Sequence, residues 1–534
     1  MNQAQLAVNP DNYSLAERYL ALVCERSPVI KRTLEIYGEL TLEMYVQRML
    51  SISKSPLQPR EDLMEAVYRY AAPLLGKRVA EQAALELQTL PAVLTANHHG
   101  VDFLAQSVQG GLIFSMREVG GKPATTVPVF ACGNVALNNP TYPQGLLLYH
   151  KNWPATELTL PIKLPVFSNR YKRQSVSIAA AYDTTMLART EQRLQNMLQN
   201  KQLTPTLAAA VRTILEEDYQ NGAIMGLPNY SQQAVVLNHR IWKRCFREPA
   251  QMPEMVYLEL EKITNMLLQL DLDNEDSLMW QIMFNQPLRT EVLRQLDGAK
   301  ACWDQGKLSK RIQVLGADGS SAAGCGTVFF WGIDAAGRRI PLFLTNGVKH
   351  PVLQGRDDRG TLWTIPFTPQ DVLQGLRKNL LLPSLFTCYS TIGFARGISC
   401  CGGYYQADYL AYMQNCLVRT FQSLTGFAEF AEHLSQVPSG LYLSGMQAVM
   451  SKTANMLLPA GPIAMVARKG LTTEEIESLR KITVRDAHLA GLMETLPDMQ
   501  GSEDLPTDWY FLLAQENCRL LHNRVLIMDL SYKG

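Results

Sequence analysis

Two imidazoles and a carboxylate fall within five residues of one another in Asn97-His98-His99-Gly100-Val101-Asp102, in a chain that holds only eight histidines. A neutral imidazole can take a proton near pH 7, and a neighbouring carboxylate can orient the ring or stabilise its charged form. Along an extended segment Leu94, Ala96 and His98 share the apolar face, whereas His99 falls on the polar one. His98 is therefore expected to be the buried, structurally supported ring and His99 the base presented to substrate. Asp102, three residues beyond His99 and four beyond His98, is assigned as the orienting partner. The same three side chains, joined by His150, could instead ligate a divalent metal. In a third reading Asp102 caps a helix beginning near Phe103 and the rings serve structure alone.

These residues need a rigid support, and the sequence provides strand-length runs around them. Residues 91–96 are apolar and end in the glycine-containing turn 97–100. The runs 112–116, 126–130, 146–149 and 164–167 are also strand-length and lack polar alternation, which predicts strands covered on both faces and an α/β core. A mixed α+β arrangement stays open. Residues 1–90 read as a helical layer, 91–180 as the α/β core, 181–309 as helical, and 310–534 as an antiparallel β meander followed by helices. Within this scheme 184–199, 206–221, 254–270 and 287–305 show helical periodicity. Strands at 310–315, 326–331 and 339–344 with turns at 317–319 and 334–337 make the meander. The strands ending at Ala96, Phe130 and Phe167 are expected to share one sheet, gathering 97–99, 132–134 and 168–170 at its C-terminal edge.

The block Val93-Leu94-Thr95-Ala96-Asn97-His98-His99-Gly100-Val101-Asp102 partly resembles two acyl-transfer signatures. Glycerolipid acyltransferases place four residues between Asn-His and Asp, and condensation-type acyltransferases place three between His-His and Asp. Here the intervals are three and two residues. The resemblance implies acyl transfer with a histidine base, and its short spacing bears on where the aspartate can point. Three further segments offer binding groups. Asn134 opens an Asn-rich loop running to Pro143, Arg170 lies in a basic stretch suited to clamping a carboxylate or phosphate, and Gln406 follows Cys400-Cys401-Gly402-Gly403, whose glycines permit close backbone approach. Asn97, Asn134, Arg170 and Gln406 are thus the expected substrate contacts. His239 reads as a helix-surface residue, and residues 271–276 as a solvated acidic turn.

Composition narrows the partners. Fifty basic against forty-nine acidic side chains leave a net charge of +1, without the positive field of a phosphate-binding nucleic-acid protein. No apolar run reaches the roughly 18–20 residues of a membrane span, and the N-terminal residues lack a secretory pattern. Ten scattered cysteines without a CxxC read as reduced thiols. Dinucleotide, P-loop, HExxH and GxSxG motifs are missing from the sequence. The expectation is a cytoplasmic enzyme acting on a small molecule by group transfer, acyl transfer first, with a divalent-metal enzyme and a non-catalytic ligand- or protein-binding module as alternatives.

Overall fold

Four of the five apolar runs contain strands, and two of them, with three strands from elsewhere in the chain, make one parallel sheet. The computed structural model describes residues 14–50, 56–57, 59–149, 161–313, 324–347, 350–453, 455–501 and 504–530. Strands β1 (Ala92–Leu94), β2 (Thr126–Ala131), β3 (Glu254–Glu259), β4 (Ser399–Gly403) and β5 (Tyr442–Ser444) lie in the order β5-β4-β1-β2-β3. Every pairing is parallel: Leu94 sits opposite Val129 and Cys401, and Thr126 to Ala131 run in register with Glu254 to Glu259. The chain builds outward from β1 on one side and then returns to its other side at β4. That reversal places a topological switch between β1 and β4, where open α/β sheets form a crevice beyond the strand C-termini. Smaller sheets of two or three strands lie mostly in the C-terminal half, antiparallel except where residues 449–452 pair parallel with 526–529.

Burial on both faces explains the unbroken apolar texture. Val93, Phe130, Val256, Leu258 and Cys400 point into one core with the helices of residues 61–89 and 260–296. Leu94, Val129, Tyr257 and Cys401 point into the other with residues 16–49 and the C-terminal helices. Residues 16–49 thus cover one face of the sheet and residues 63–87 the other.

Several local expectations are corrected. Residues 254–270 are strand β3 followed by helix rather than one helix, because both faces of the Met255 to Leu258 run are buried. Residues 112–116 finish a helix, α1 (Ala105–Phe114), which is buried nearly all round and so lacks a polar stripe. Residues 305–313 are helical, not a meander strand, and the expected turn at 317–319 lies outside the described residues. The strand at 162–165 pairs antiparallel with 145–148 in a separate hairpin, so it does not join the parallel sheet.

The acidic stretch after residue 270 is not wholly solvated. Asp271 is buried and accepts from Arg396, whose guanidinium also donates to Asp62 at 2.6 and 2.8 Å and to the Thr391 carbonyl at 2.7 Å. This fully buried cation ties the helix of residues 61–75 to the helix of residues 260–271 just before β4 starts. Removing one partner of such a cluster strands the others without compensation. Arg396→Met is expected to destabilise the protein by about 3–5 kcal/mol, read as a lowered urea midpoint at unchanged slope.

Candidate functional site

The loop after β1 closes on itself. Ladder pairing resumes beyond the strand, with Cys132 N donating to Asn97 O at 2.9 Å and His99 N to Cys132 O at 2.8 Å. Gly100 then turns the chain at φ +124°, where a Cβ would come within 2.6 Å of the Pro143 side chain. Helix α2 (Tyr230–Arg244) supplies the buried partners this turn requires. Tyr230 Oη accepts from Val101 N at 3.1 Å, Asn238 Oδ1 accepts from Asp102 N at 2.8 Å, and Asn238 Nδ2 donates to Gly100 O at 2.8 Å.

Asp102 serves this loop rather than an imidazole. Its carboxylate accepts from Asn97 Nδ2 at 3.0 Å, Tyr257 Oη at 3.1 Å and Leu104 N at 3.1 Å, and neither histidine is among its partners. The expected orienting role is corrected: the Gly100 turn folds Asp102 back onto Asn97, at the mouth of α1. Asp102 does not cap the helix either: the N-cap is Leu104, without a side-chain cap bond, and at this end Asp102 accepts only from Leu104 N, just before the helix. Burial pushes its carboxyl up to about 6, against the lowering effect of these donors.

The two rings exchange their expected places. His99 is fully buried, with Nε2 2.9 Å from Ser231 Oγ and 3.1 Å from Ser231 O. A backbone carbonyl can only accept, so Nε2 carries the proton. Ser231 Oγ in turn donates to Glu259, and Tyr257 stacks on the ring. His98 is half-buried and faces a cleft. Regular alternation fails because Thr95 and Ala96 leave the strand before the histidines are reached.

His98 also has a defined tautomer. Asn139 Oδ1 accepts from Thr141 N at 3.2 Å, which fixes that atom as the oxygen, and His98 Nδ1 lies 2.9 Å from it. Nδ1 is therefore the donor, and Nε2 keeps a lone pair with no protein partner among the described residues. Burial lowers the His98 pKa below the usual imidazole value; Asn139 opposes that shift and the nearby Arg339 charge adds to it.

The cleft has a volume of about 900 Å³ and lies at the C-terminal edge of β1, β2 and β4. His98, Asn134, Arg339, Trp331, Gln406 and Tyr409 are among its walls. Asn134 is held at the end of β2 by Glu261, which accepts from Gly133 N at 2.7 Å and Asn134 N at 3.0 Å. Burial, then the neighbouring Glu259, raises the Glu261 carboxyl above the usual carboxylate range. Gln406 lies in the first turn of helix α3 (Tyr404–Ser423) and donates to Thr95 Oγ1 at 2.5 Å. Gly403 and Tyr404 also reach the cleft, whereas Cys400 and Cys401 turn into the two cores. Asn97 is buried behind the loop as a partner of Asp102.

Arg170 is placed elsewhere. It is exposed, its guanidinium lies 4.5 Å from the centre of the Tyr171 ring, and it does not line the cleft, because its supporting strand belongs to the separate hairpin. His239 is more enclosed than expected, with Nδ1 donating to Met255 O at 2.9 Å. Arg339, Trp331, Asn139, Ser231 and Glu259 carry no sequence signal for this site; only Asn139 lies in the Asn-rich loop that begins at Asn134.

The proposed metal set does not fit. Asp102 is taken up by Asn97 and Tyr257, and each imidazole already donates from one nitrogen, His98 Nδ1 to Asn139 and His99 Nε2 to Ser231. Among the described residues no group of three or more His, Cys, Asp or Glu side chains could hold a metal ion. His150 lies outside the described residues. The Cys132 thiol, which lines the cleft, donates to Glu261 at 3.1 Å, and burial together with that carboxylate pushes it well above the usual thiol range. It is therefore no thiolate nucleophile.

Fold and site together define a mixed α/β protein, 53% helical and 17% strand, with a cleft at the switch of a five-stranded parallel sheet. The chain matches no protein-family model, no curated protein and no solved structure. No helix of the described residues is long and apolar enough to cross a membrane.

The exchange of roles between the rings is measurable. His99→Ala should lower stability by about 2–4 kcal/mol, since it opens a cavity and leaves Ser231 short of a partner, whereas His98→Gln should stay within about 1 kcal/mol of the parent in chemical denaturation. Asp102 adds a pH signature. Its carboxyl rises on folding from 3.8 to about 6, so the native state holds the proton more tightly and the associated stability is lost as pH rises through that window. Relative to Asp102→Asn, the parent should lose about 2 kcal/mol between pH 4 and pH 7, most of the ~3 kcal/mol that the whole shift is worth at about 1.4 kcal/mol per tenfold gain in proton affinity. A flat difference across that range would contradict the assignment.

Proposed function

We propose that the cleft is the active site of an enzyme of small-molecule metabolism that carries out group transfer, with His98 as general base and acyl transfer as the reaction class. The observation that carries this reading is the His98 tautomer: Asn139 Oδ1 accepts a hydrogen bond from Nδ1–H, which leaves the Nε2 lone pair beside a cleft of metabolite size. Burial keeps the ring neutral at pH 7, which is the state a base must start from. In the proposed step Nε2 removes the proton of a substrate hydroxyl, amine or thiol as that atom bonds to the acyl carbon. The same proton then passes to the departing group, and His98 returns to its neutral form.

The residue types shared with the acyl-transfer signatures suggest the reaction class, while the aspartate interval, one residue short of both, departs from them. With Asp102 tied to Asn97, orientation of the base falls to Asn139 and Thr141. Asn134 and Gln406 are then the substrate-contacting amides, and His99 is a positioning residue that holds the loop.

Incubation with a panel of acyl donors and hydroxyl, amine and thiol acceptors, read by mass spectrometry, tests the proposal. Once turnover is found, His98→Gln should lower kcat by about 10²–10⁴-fold, the usual worth of a positioned base. The acid limb of kcat/KM should fall below pH 6.5, because burial depresses the His98 pKa from that value. Full turnover in His98→Gln would remove the base from the mechanism.

A further inference from the structure

We infer that Arg339 and Trp331 form an anion-binding subsite in the cleft, which selects a substrate bearing a carboxylate or phosphate group. Both residues line the same cavity as His98. The guanidinium lies 4.7 Å from the centre of the Trp331 ring, and Nη1 donates to the Asn134 carbonyl at 2.5 Å. One planar face is thus stacked and one donor anchored, which orients the fork.

Glu261 acts on the Arg339 charge through space, but no carboxylate is in direct contact with it among the described residues. By contrast, buried Arg396 engages two, and the neighbouring Arg338 pairs with Asp334 and Asp358. Glu261, the acid at the end of β2, is already taken up by three donors from residues 132–134. An enclosed guanidinium with one backbone acceptor leaves four N–H donors for a ligand, in a geometry that matches the two oxygens of a carboxylate or phosphate.

A second observation points the same way. Asn134 is 5% exposed and lines the cleft, yet its Oδ1 is buried without a partner and its Nδ2 makes only a 3.5 Å contact with Pro383 O. The loosely held Nδ2 has a donor to offer an anion, whereas Oδ1 can only accept and calls for a hydroxyl or amine elsewhere on the same ligand. Lys163, on the cleft wall over the Tyr142 ring, adds a second positive charge. The subsite rests on the reading of this cleft as a substrate site, but its test is scored by binding and needs no turnover.

Inorganic phosphate and succinate serve as probes, titrated separately by calorimetry at constant ionic strength. Saturable one-site binding is expected, weakened about 10- to 100-fold by Arg339→Gln, the worth of a charge-assisted contact, and retained in His98→Gln and Arg170→Gln. Preference for phosphate or for succinate identifies which anion the substrate carries. A measurement on the unaltered protein guards against a variant that does not fold: the preferred anion should protect Arg339 from arginine-directed dicarbonyl labelling, located by peptide mass. Absence of saturable binding of either probe at millimolar concentration, or binding that Arg339→Gln leaves unchanged, overturns the proposal. Equal labelling of Arg339 with and without the anion does so as well.

Discussion

Everything around the cleft depends on satisfying the buried polar groups of the eight residues that follow β1, 95–102. A strand that ends inside a protein delivers backbone N–H and C=O groups to a place water does not reach, and leaving even one unpaired costs about 1–3 kcal/mol. The chain meets this demand with side chains from two other elements. Helix α2 contributes Tyr230, Ser231 and Asn238 from one face, and β3 contributes Tyr257 and Glu259 from its C-terminal end. Asn97 and Asp102 close the remaining gap by bonding to each other. One imidazole is consumed in this framework, and the other is thereby held at the surface of the cleft with little freedom to turn.

This explains why adjacent histidines have unlike chemistry. His99 carries its proton on Nε2 because a carbonyl lies there; His98 carries its proton on Nδ1 because an amide oxygen lies there. Neither choice depends on the neighbouring ring. It depends on Ser231 and Asn139, residues 132 and 41 positions away in the chain. Much of the tuning of the site is therefore long-range, which limits what a local motif can specify.

That limit shows in what was legible. The class of fold follows from unbroken apolar runs such as Thr126–Ala131, since two-sided burial erases alternation, and the location of the site follows from scarce polar residues after one such run. The strand Ser399–Gly403 was not legible: two glycines, two cysteines and a serine have no β preference, and the segment is a strand only because its neighbours on both sides are. The Glu254–Glu259 strand was masked by helical spacing that continues into the following helix. Ring placement was misjudged by extending strand geometry past Leu94, where the ladder breaks. Arg339 had no local signal at all, because its role comes from a peripheral hairpin folding over the sheet edge.

The order in which the strands pair has a meaning for the chain while it is being made. β1, β2 and β3 are all synthesised by Glu259, yet the partner on the other side of β1 begins only at Ser399, about 140 residues later. At usual translation speeds the middle of the eventual sheet is an open edge for on the order of ten seconds. A long apolar edge in that position would invite pairing with other chains. β1 is three residues long. Its brevity, continued by a loop that knots itself through Asn97 and Asp102 instead of running on as strand, gives a nascent neighbour little to grip before the rightful partner emerges.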